Sequence, residues 1–311
     1  MIILLQALTG MALLYLGGEG LVRGAVAVAS RLGISALAIG LTVVSFGTSA
    51  PELAVSLNAA MTGAMDISVG NVVGSNITNI GLILALAALI SPLIIKAKII
   101  RIDVPIMLAS VILAAFFLMD GRLNRWEGLI LLVGLILYTL FTFIHSRKEP
   151  DIIQEEFAHE IATAKYAPAL DVGLILLGLA LLFLGGKLLV IAAVDFAVQA
   201  GVSEAVIGLT IVAIGTSLPE MTATLIAARR GYADMAIGNI IGSNIFNVLG
   251  ILGITALVSP LETGNIRWED IFCMVALCFL TSIFLYTRNK LDRYEAAILL
   301  LIFISYISWL I

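Results

Sequence analysis

The stretch Gly47-Thr48-Ser49-Ala50-Pro51-Glu52, set inside a long apolar run, decides the fold because it returns as Gly215-Thr216-Ser217-Leu218-Pro219-Glu220. The shift between the copies is 168 positions, and it carries the flanking sequence with it. Gly74-Ser75-Asn76-Ile77-Thr78-Asn79 falls on Gly242-Ser243-Asn244-Ile245-Phe246-Asn247, and Ser91-Pro92 falls on Ser259-Pro260. From Gly40 to Pro92, 27 of 53 pairs are identical without a gap, which chance does not give. Further out the match fades but persists: Leu16-Gly17-Gly18 meets Leu184-Gly185-Gly186, and Glu127 meets Glu295. Glu19 breaks the pattern, since it meets Lys187. The chain is two copies of one unit.

Each unit is too apolar for a water-soluble core. The chain is 61% hydrophobic and 12% charged, against about 25% charged in an ordinary soluble domain. About 20 apolar residues cross a bilayer as a helix. Ten such segments are expected, near 2–22, 33–61, 67–90, 99–119, 126–145, 170–198, 202–228, 235–258, 269–287 and 294–311. The runs are continuous rather than alternating, which excludes a β-barrel. The first run lacks the basic start and small-residue cleavage site of a signal peptide and reads as a span.

Basic residues fall in alternate connections. One set holds Arg23, Arg31, Lys96, Lys98, Arg101, Arg147, Lys148, Lys165, Arg229, Arg230, Arg288, Lys290 and Arg293; the other holds only Arg122, Arg125 and Arg267. The positive-inside rule puts the rich set in the cytoplasm and both termini outside. Five spans is an odd number, so the second unit enters the membrane from the opposite side. The expected architecture is an all-α membrane protein of ten transmembrane helices in two inverted five-helix repeats, residues 1–145 and 169–311, around a cytoplasmic linker at 146–168.

The chemistry lies in the repeated polar motifs. Pro51 and Pro219 lack an amide hydrogen and clash with the preceding turn, so the second and seventh spans should break there. Carbonyls freed in lipid need partners, and those of Ser45, Thr48 and their neighbours can find one in a cation. Glu52 and Glu220 sit just past the breaks, and intramembrane carboxylates are costly and functional by default. Ser75 and Asn79 lie four apart on one helical face. Asn79 and Asn247 offer neutral oxygens, while the glycines beside them allow close helix approach. The assembled site offers carboxylate, carbonyl, amide and hydroxyl oxygens without histidine or cysteine. That suits a hard cation; calcium takes six to eight such ligands, whereas zinc, copper and iron favour nitrogen or sulfur. An empty site with two charges is costly to occlude, which favours exchange over uniport.

These motifs closely resemble the alpha repeats of the sodium/calcium exchanger family, within the calcium:cation antiporter superfamily, over nearly the whole chain. The resemblance implies ions bound at mid-membrane between helices two, three, seven and eight. It implies that Glu52 and Glu220 bind both calcium and sodium, and that the Thr48 and Thr216 carbonyls join calcium. Ser49, Ser75, Ser217 and Ser243, with the carbonyls of Ser45 and Ala213, would complete flanking sodium sites. Helices one and six, with Gly17-Gly18 and Gly185-Gly186, would slide across the rest to switch access. Some relatives of the potassium-dependent branch carry Asp at the place of Asn247, so Asn here argues against potassium cotransport. The proton-coupled branch tends to a Gly-Asn-x-x-Glu arrangement at the break, which this chain lacks, favouring sodium over protons.

The expected function is therefore a secondary active antiporter exchanging Na+ for Ca2+ across the cell membrane by alternating access, with net charge movement. The alternative is a proton-driven calcium or cation antiporter of the same fold. No nucleophile–base pair or His cluster suggests an enzyme. The expected partners are the transported Na+ and Ca2+ and the lipid bilayer, with no cofactor and no protein partner. A net charge of −4 offers no basic surface for nucleic acid. Glu155, Glu156 and Glu160 make the linker polar, without EF-hand spacing. Cys273 and Cys278 read as membrane-core residues, and His145 and His159 as surface residues.

Overall fold

A computed structural model describes residues 2–96, 99–146, 168–200, 213–262 and 266–310. Among these, eight helices are long and apolar enough to cross a membrane, and nine if a pair bent by 45° counts as one span. They are α1 (Ile2–Leu32), the bent pair α2 (Ala36–Thr48) and α3 (Ala50–Met61), α4 (Met65–Ile90), α5 (Ile99–Asp120), α6 (Arg125–Ser146), α7 (Pro168–Gln199), α10 (Ala233–Val258), α11 (Trp268–Arg288) and α12 (Arg293–Leu310), with the shorter α8 (Ala213–Thr216) and α9 (Leu218–Arg229) between α7 and α10. The expected span 202–228 is described only from Ala213 onward, and the linker with His159 lies outside the described residues.

The helix bounds follow the apolar runs, with one correction. The first span, expected at 2–22, continues to Leu32. Arg23 and Arg31 therefore lie on α1 rather than in a connection. No residue before Gly33 breaks the helix, and Gly33 ends it in the left-handed region at φ 62°, where lacking a Cβ costs nothing. At 31 residues the helix is longer than the roughly 20 that hydrocarbon requires.

Two layers of burial set the centre. In α10, 89% of the most apolar stretch is buried, and in α4, 72%, against 22% in α1 and 28% in α7. The outer helices turn Leu5, Leu8, Leu137, Leu140, Leu176, Phe272 and Leu301 outward, as a lipid-facing surface would. Trp126, Trp268, Tyr286, Tyr294 and Trp309 are exposed near helix ends, where aromatic rings suit the interface.

Two short strand pairs tie the helix ends. β1 (Leu93–Ile94) pairs antiparallel with β4 (Lys290–Leu291), and β2 (Arg122–Leu123) with β3 (Leu261–Glu262). The 168-residue shift turns β1 into β3 and β2 into β4, so it exchanges one pair for the other. The pairs lie at opposite ends of α5, which separates β1 from β2. The β1–β4 end also carries Arg31, Lys96, Arg229, Arg230, Arg288 and Arg293, and is called here the basic end.

α1 and α7 run against each other along most of their length. A Cβ at Gly17 would stand 2.8 Å from the Gly178 carbonyl oxygen, and one at Gly185 would stand 2.8 Å from that of Gly10. Only glycine permits that approach, which small-residue faces commonly provide in membranes. Arg31 pairs with buried Asp171 across the same contact. The two helices thus form one unit laid over the rest.

Candidate functional site

The break in the second span falls at Ser49 (φ −85°, ψ 6°) and its counterpart at Ser217 (φ −89°, ψ 9°). Each lies one residue short of the position before its proline. Pro51 and Pro219 sit at the second position of α3 and α9, where a missing amide hydrogen goes unmissed. Glu52 and Glu220 fall in the first turn of those helices, where the helix dipole favours negative charge. The ends of α2 and α8 face the same breaks with their carbonyl, cation-favouring poles.

Both glutamates are buried to about 1% exposure, and each is held from the other half. Ser49 Oγ donates to Glu220 Oε1 at 2.8 Å, and Ser217 Oγ to Glu52 Oε1 at 3.4 Å. Ser49 Oγ also lies 3.1 Å from Ser243 Oγ. The close crossing beneath them depends on Gly242, where a Cβ would stand 2.6 Å from both the Leu41 carbonyl oxygen and Ser45 Oγ.

Among the described residues, the second oxygen of each carboxylate has no hydrogen-bond partner, and neither do Asn79 Oδ1 and Asn247 Oδ1. All four atoms are buried. Each half thus contributes a carboxylate oxygen and an amide oxygen with no described donor at these matched positions, and Asn244 Oδ1 in the second half also lacks one. Buried acceptors rarely go unpaired, and acceptors alone, without donors, are what a hard cation requires. Asn79 and Asn247 lie in widened π-helical turns, Asn79–Leu84 and Phe246–Leu252. Such turns recur at functional sites, and the apolar periodicity gave no sign of them.

The other expected ligands are placed as follows. Thr48, Ser49, Ser217, Ser75 and Ser243 are buried, and Thr216 is half-buried at the end of α8. Ala213 opens α8. Ser45 is buried, but its carbonyl already accepts from the Ser49 amide at 3.0 Å and from Thr48 Oγ1 at 3.3 Å. In the other half the Ser217 amide turns instead to the Ile214 carbonyl at 3.1 Å, so the two breaks are wound differently.

The sequence reading passed over Asn71 and Asn239. Asn71 Nδ2 donates to the Glu52 carbonyl at 3.1 Å and to Ser56 Oγ at 2.9 Å. Asn239 Nδ2 donates to the Glu220 carbonyl at 3.3 Å and to Thr224 Oγ1 at 2.8 Å. They fix the backbone at each glutamate. The signal was present, since Gly70-Asn71 and Gly238-Asn239 match between the copies. Asn76 was also missed: its Oδ1 accepts from Asn247 Nδ2 at 3.2 Å, orienting that amide so that Oδ1 points away. His145, expected at the surface, is half-buried and lies tilted against Phe141 with ring centroids 4.0 Å apart. Its position four residues past Phe141 on α6 puts both rings on one face.

The chain is similar to known proteins over nearly its whole length. The sodium/calcium exchanger protein family matches residues 2–144 and 170–311. The putative antiporter CaxA of Alkalimonas amylolytica is 39% identical over 305 residues, covering 96% of this chain and 95% of that protein. The sodium/calcium exchanger MaX1 of Methanosarcina acetivorans is 34% identical, with 96% of each chain covered. A solved structure of the sodium-calcium exchanger NCX_Mj superposes with a TM-score of 0.86 at 32% identity, over 100% of this chain and 99% of that one. The fold and site define a multi-pass membrane antiporter that transports ions. The chain belongs to the sodium/calcium exchanger family.

Proposed function

We propose that the protein exchanges Na+ for Ca2+ across the cell membrane, with Glu52 and Glu220 as the charged ligands of a shared site. The observation that carries this is the set of four buried, donor-free oxygens on Glu52, Glu220, Asn79 and Asn247. Two carboxylates bring charge −2, which one calcium neutralises. Carbonyls at Thr48 and Thr216 complete its shell, and Ser49, Ser75, Ser217 and Ser243, with the Ser45 and Ala213 carbonyls, serve flanking sodium ions. Rewinding at Ser49 releases the Ser45 carbonyl for that purpose.

The supporting architecture is ten helices in two inverted repeats, 1–145 and 169–311, joined by the linker at 146–168. The exchanged strand pairs and the mirrored Asn71 and Asn239 contacts support inversion. The basic end faces the cytoplasm by the positive-inside rule, and both termini face outside. Without ions the site holds two like charges in low dielectric, which costs several kcal/mol per ion. The carrier therefore turns over when loaded, and exchange follows.

The test is calcium uptake into sodium-loaded liposomes containing the purified protein, with pH clamped. Uptake that follows the sodium gradient is expected. Uptake driven by a pH gradient and indifferent to sodium would replace sodium with protons as the coupling ion.

A further inference from the structure

The two ends of the α1–α7 unit meet the site helices differently. At the basic end α1 lies directly on α9. A Cβ at Gly18 would stand 2.5 Å from Ile226 Cδ1 and 2.9 Å from Thr222 Cγ2, so the helices touch and nothing passes between. The adjacent Glu19 receives a two-pronged grip from Arg230, the residue that ends α9. Arg230 Nε donates to Glu19 Oε1 at 3.2 Å and Nη2 donates to Oε2. Arg23 Nη2 lies 3.4 Å from the same Oε2. Paired N–H···O bonds of this kind add geometric specificity to charge. The pair is partly buried, with side chains 25% and 18% exposed, so water screens it less than a surface pair.

This contact crosses a mechanical boundary. Arg31 and Asp171 join α1 to α7 within the outer unit. Glu19 and Arg230 instead join that unit to α9, the helix that carries Glu220.

Among the described residues the opposite end shows no equivalent ion pair. The 168-residue shift puts Gly186, Lys187, Ile191 and Thr62 where Gly18, Glu19, Arg23 and Arg230 stand. A lysine facing a threonine forms no ion pair. The nearest described neighbour of a Cβ at Gly186 is 3.8 Å away. Lys187 is exposed and lines a cavity of about 520 Å³ with Pro51, Ala54, Thr216 and Pro219. That cavity reaches the residues flanking both helix breaks.

We propose that Glu19 and Arg230 are positioning residues forming a one-sided latch, which holds the basic end closed so that the unliganded protein rests open toward the opposite face. The inference rests on the exchange reading, because a latch matters only if the α1–α7 unit moves between two closures. It adds a cause for unequal populations of the two states: the repeat supplies both closures, and the charge pair favours one.

The test uses two repeat-related reporters, Thr222→Cys under α1 and Ala54→Cys in the cavity. Each is placed in the full chain with Cys273→Ala and Cys278→Ala, reconstituted in liposomes without sodium or calcium. A membrane-impermeant maleimide is supplied on both sides. With the latch intact, Ala54→Cys is modified readily and Thr222→Cys slowly. Glu19→Gln should raise the rate at Thr222→Cys about fivefold, a coupling of the usual size for contacting residues, and lower it at Ala54→Cys. Arg230→Gln should do the same, and the double variant no more than either alone. Unchanged rates overturn the latch. So does a rise at both reporters, which means a loosened fold, or effects that multiply in the double variant. Sodium-driven calcium flux is read in the same liposomes. Its absence with the latch intact would count against the exchange reading, while the labelling pattern still judges the latch.

Discussion

The helix breaks and the outer pair of helices treat the same internal repeat in opposite ways. At the breaks the side-chain contacts to the glutamates are the same in both copies. Ser49 and Ser217 reach across to the opposite glutamate, and Asn71 and Asn239 hold the glutamate carbonyls alike. On α1 and α7 they part: Gly18 is clamped and Glu19 paired, while Gly186 is buried with room for a Cβ and Lys187 is exposed. The difference follows from what each region must do. In the proposed exchange a single ion is shared by both halves, so both must offer it the same oxygens. In the same proposal the two ends of the path are never open together, so the two closures need not be equally stable.

The comparison breaks first at the glutamates. Glu52→Gln and Glu220→Gln should each cut sodium-driven calcium uptake by about 100-fold or more, since losing a ligand or its support commonly costs 10–100-fold and here a charge is lost too. If one variant transported normally, the halves would not share one ion. A smaller effect is expected at the supports. Asn71→Ala and Asn239→Ala each remove a donor, half-buried at Asn71 and buried at Asn239, from the carbonyl of a proposed ligand, and a buried acceptor left unpaired costs about 1–3 kcal/mol. Each should weaken calcium dependence roughly tenfold and to a similar extent, read as the calcium concentration giving half-maximal uptake. A large effect in only one half would make the site lopsided.

Membrane potential sharpens the same comparison with a more modest effect. One calcium brings the two carboxylates to zero, and more than two sodium ions would leave net positive charge. Each charge moved feels about 2.3 kcal/mol per 100 mV. A valinomycin-set, inside-negative potential should therefore favour sodium entry and calcium exit at fixed sodium gradient and pH. A flux indifferent to potential would limit the site to two monovalent ions per calcium. The smallest expected effect is none: replacing potassium with choline on both sides should leave exchange unchanged, because Asn247 supplies a neutral oxygen where an acid would serve a further cation. Losing most of the flux would overturn that reading of Asn247.

Much of the site was legible because the repeat doubles every signal. A lone proline in a membrane helix is a common kink, but Pro51 with Glu52, echoed by Pro219 with Glu220, is a site. The positions of Asn79 and Asn247 were legible too, from helical spacing to Ser75 and Ser243. The π-helical turns that carry them were not, since one extra residue in a turn leaves apolar composition unchanged. Asn71 and Asn239 were visible as matches but were passed over, because their partners include backbone carbonyls that no sequence pattern marks. His145 was misplaced for a similar reason: its burial comes from Phe141 and the surrounding helices.

The sequence by itself determined the apolar runs, the doubled unit and the oxygen-bearing residues offered by the candidate site, because apolar length, internal identity and side-chain type are properties of residues in order. Only the tertiary structure decided which serine reaches which glutamate and which oxygens remain without donors. It alone paired Glu19 with Arg230 across 211 positions and left Lys187 beside a cavity. Those outcomes depend on the distance between helices brought together by packing, and a repeat that is symmetric in sequence places no constraint on which of its two ends is closed.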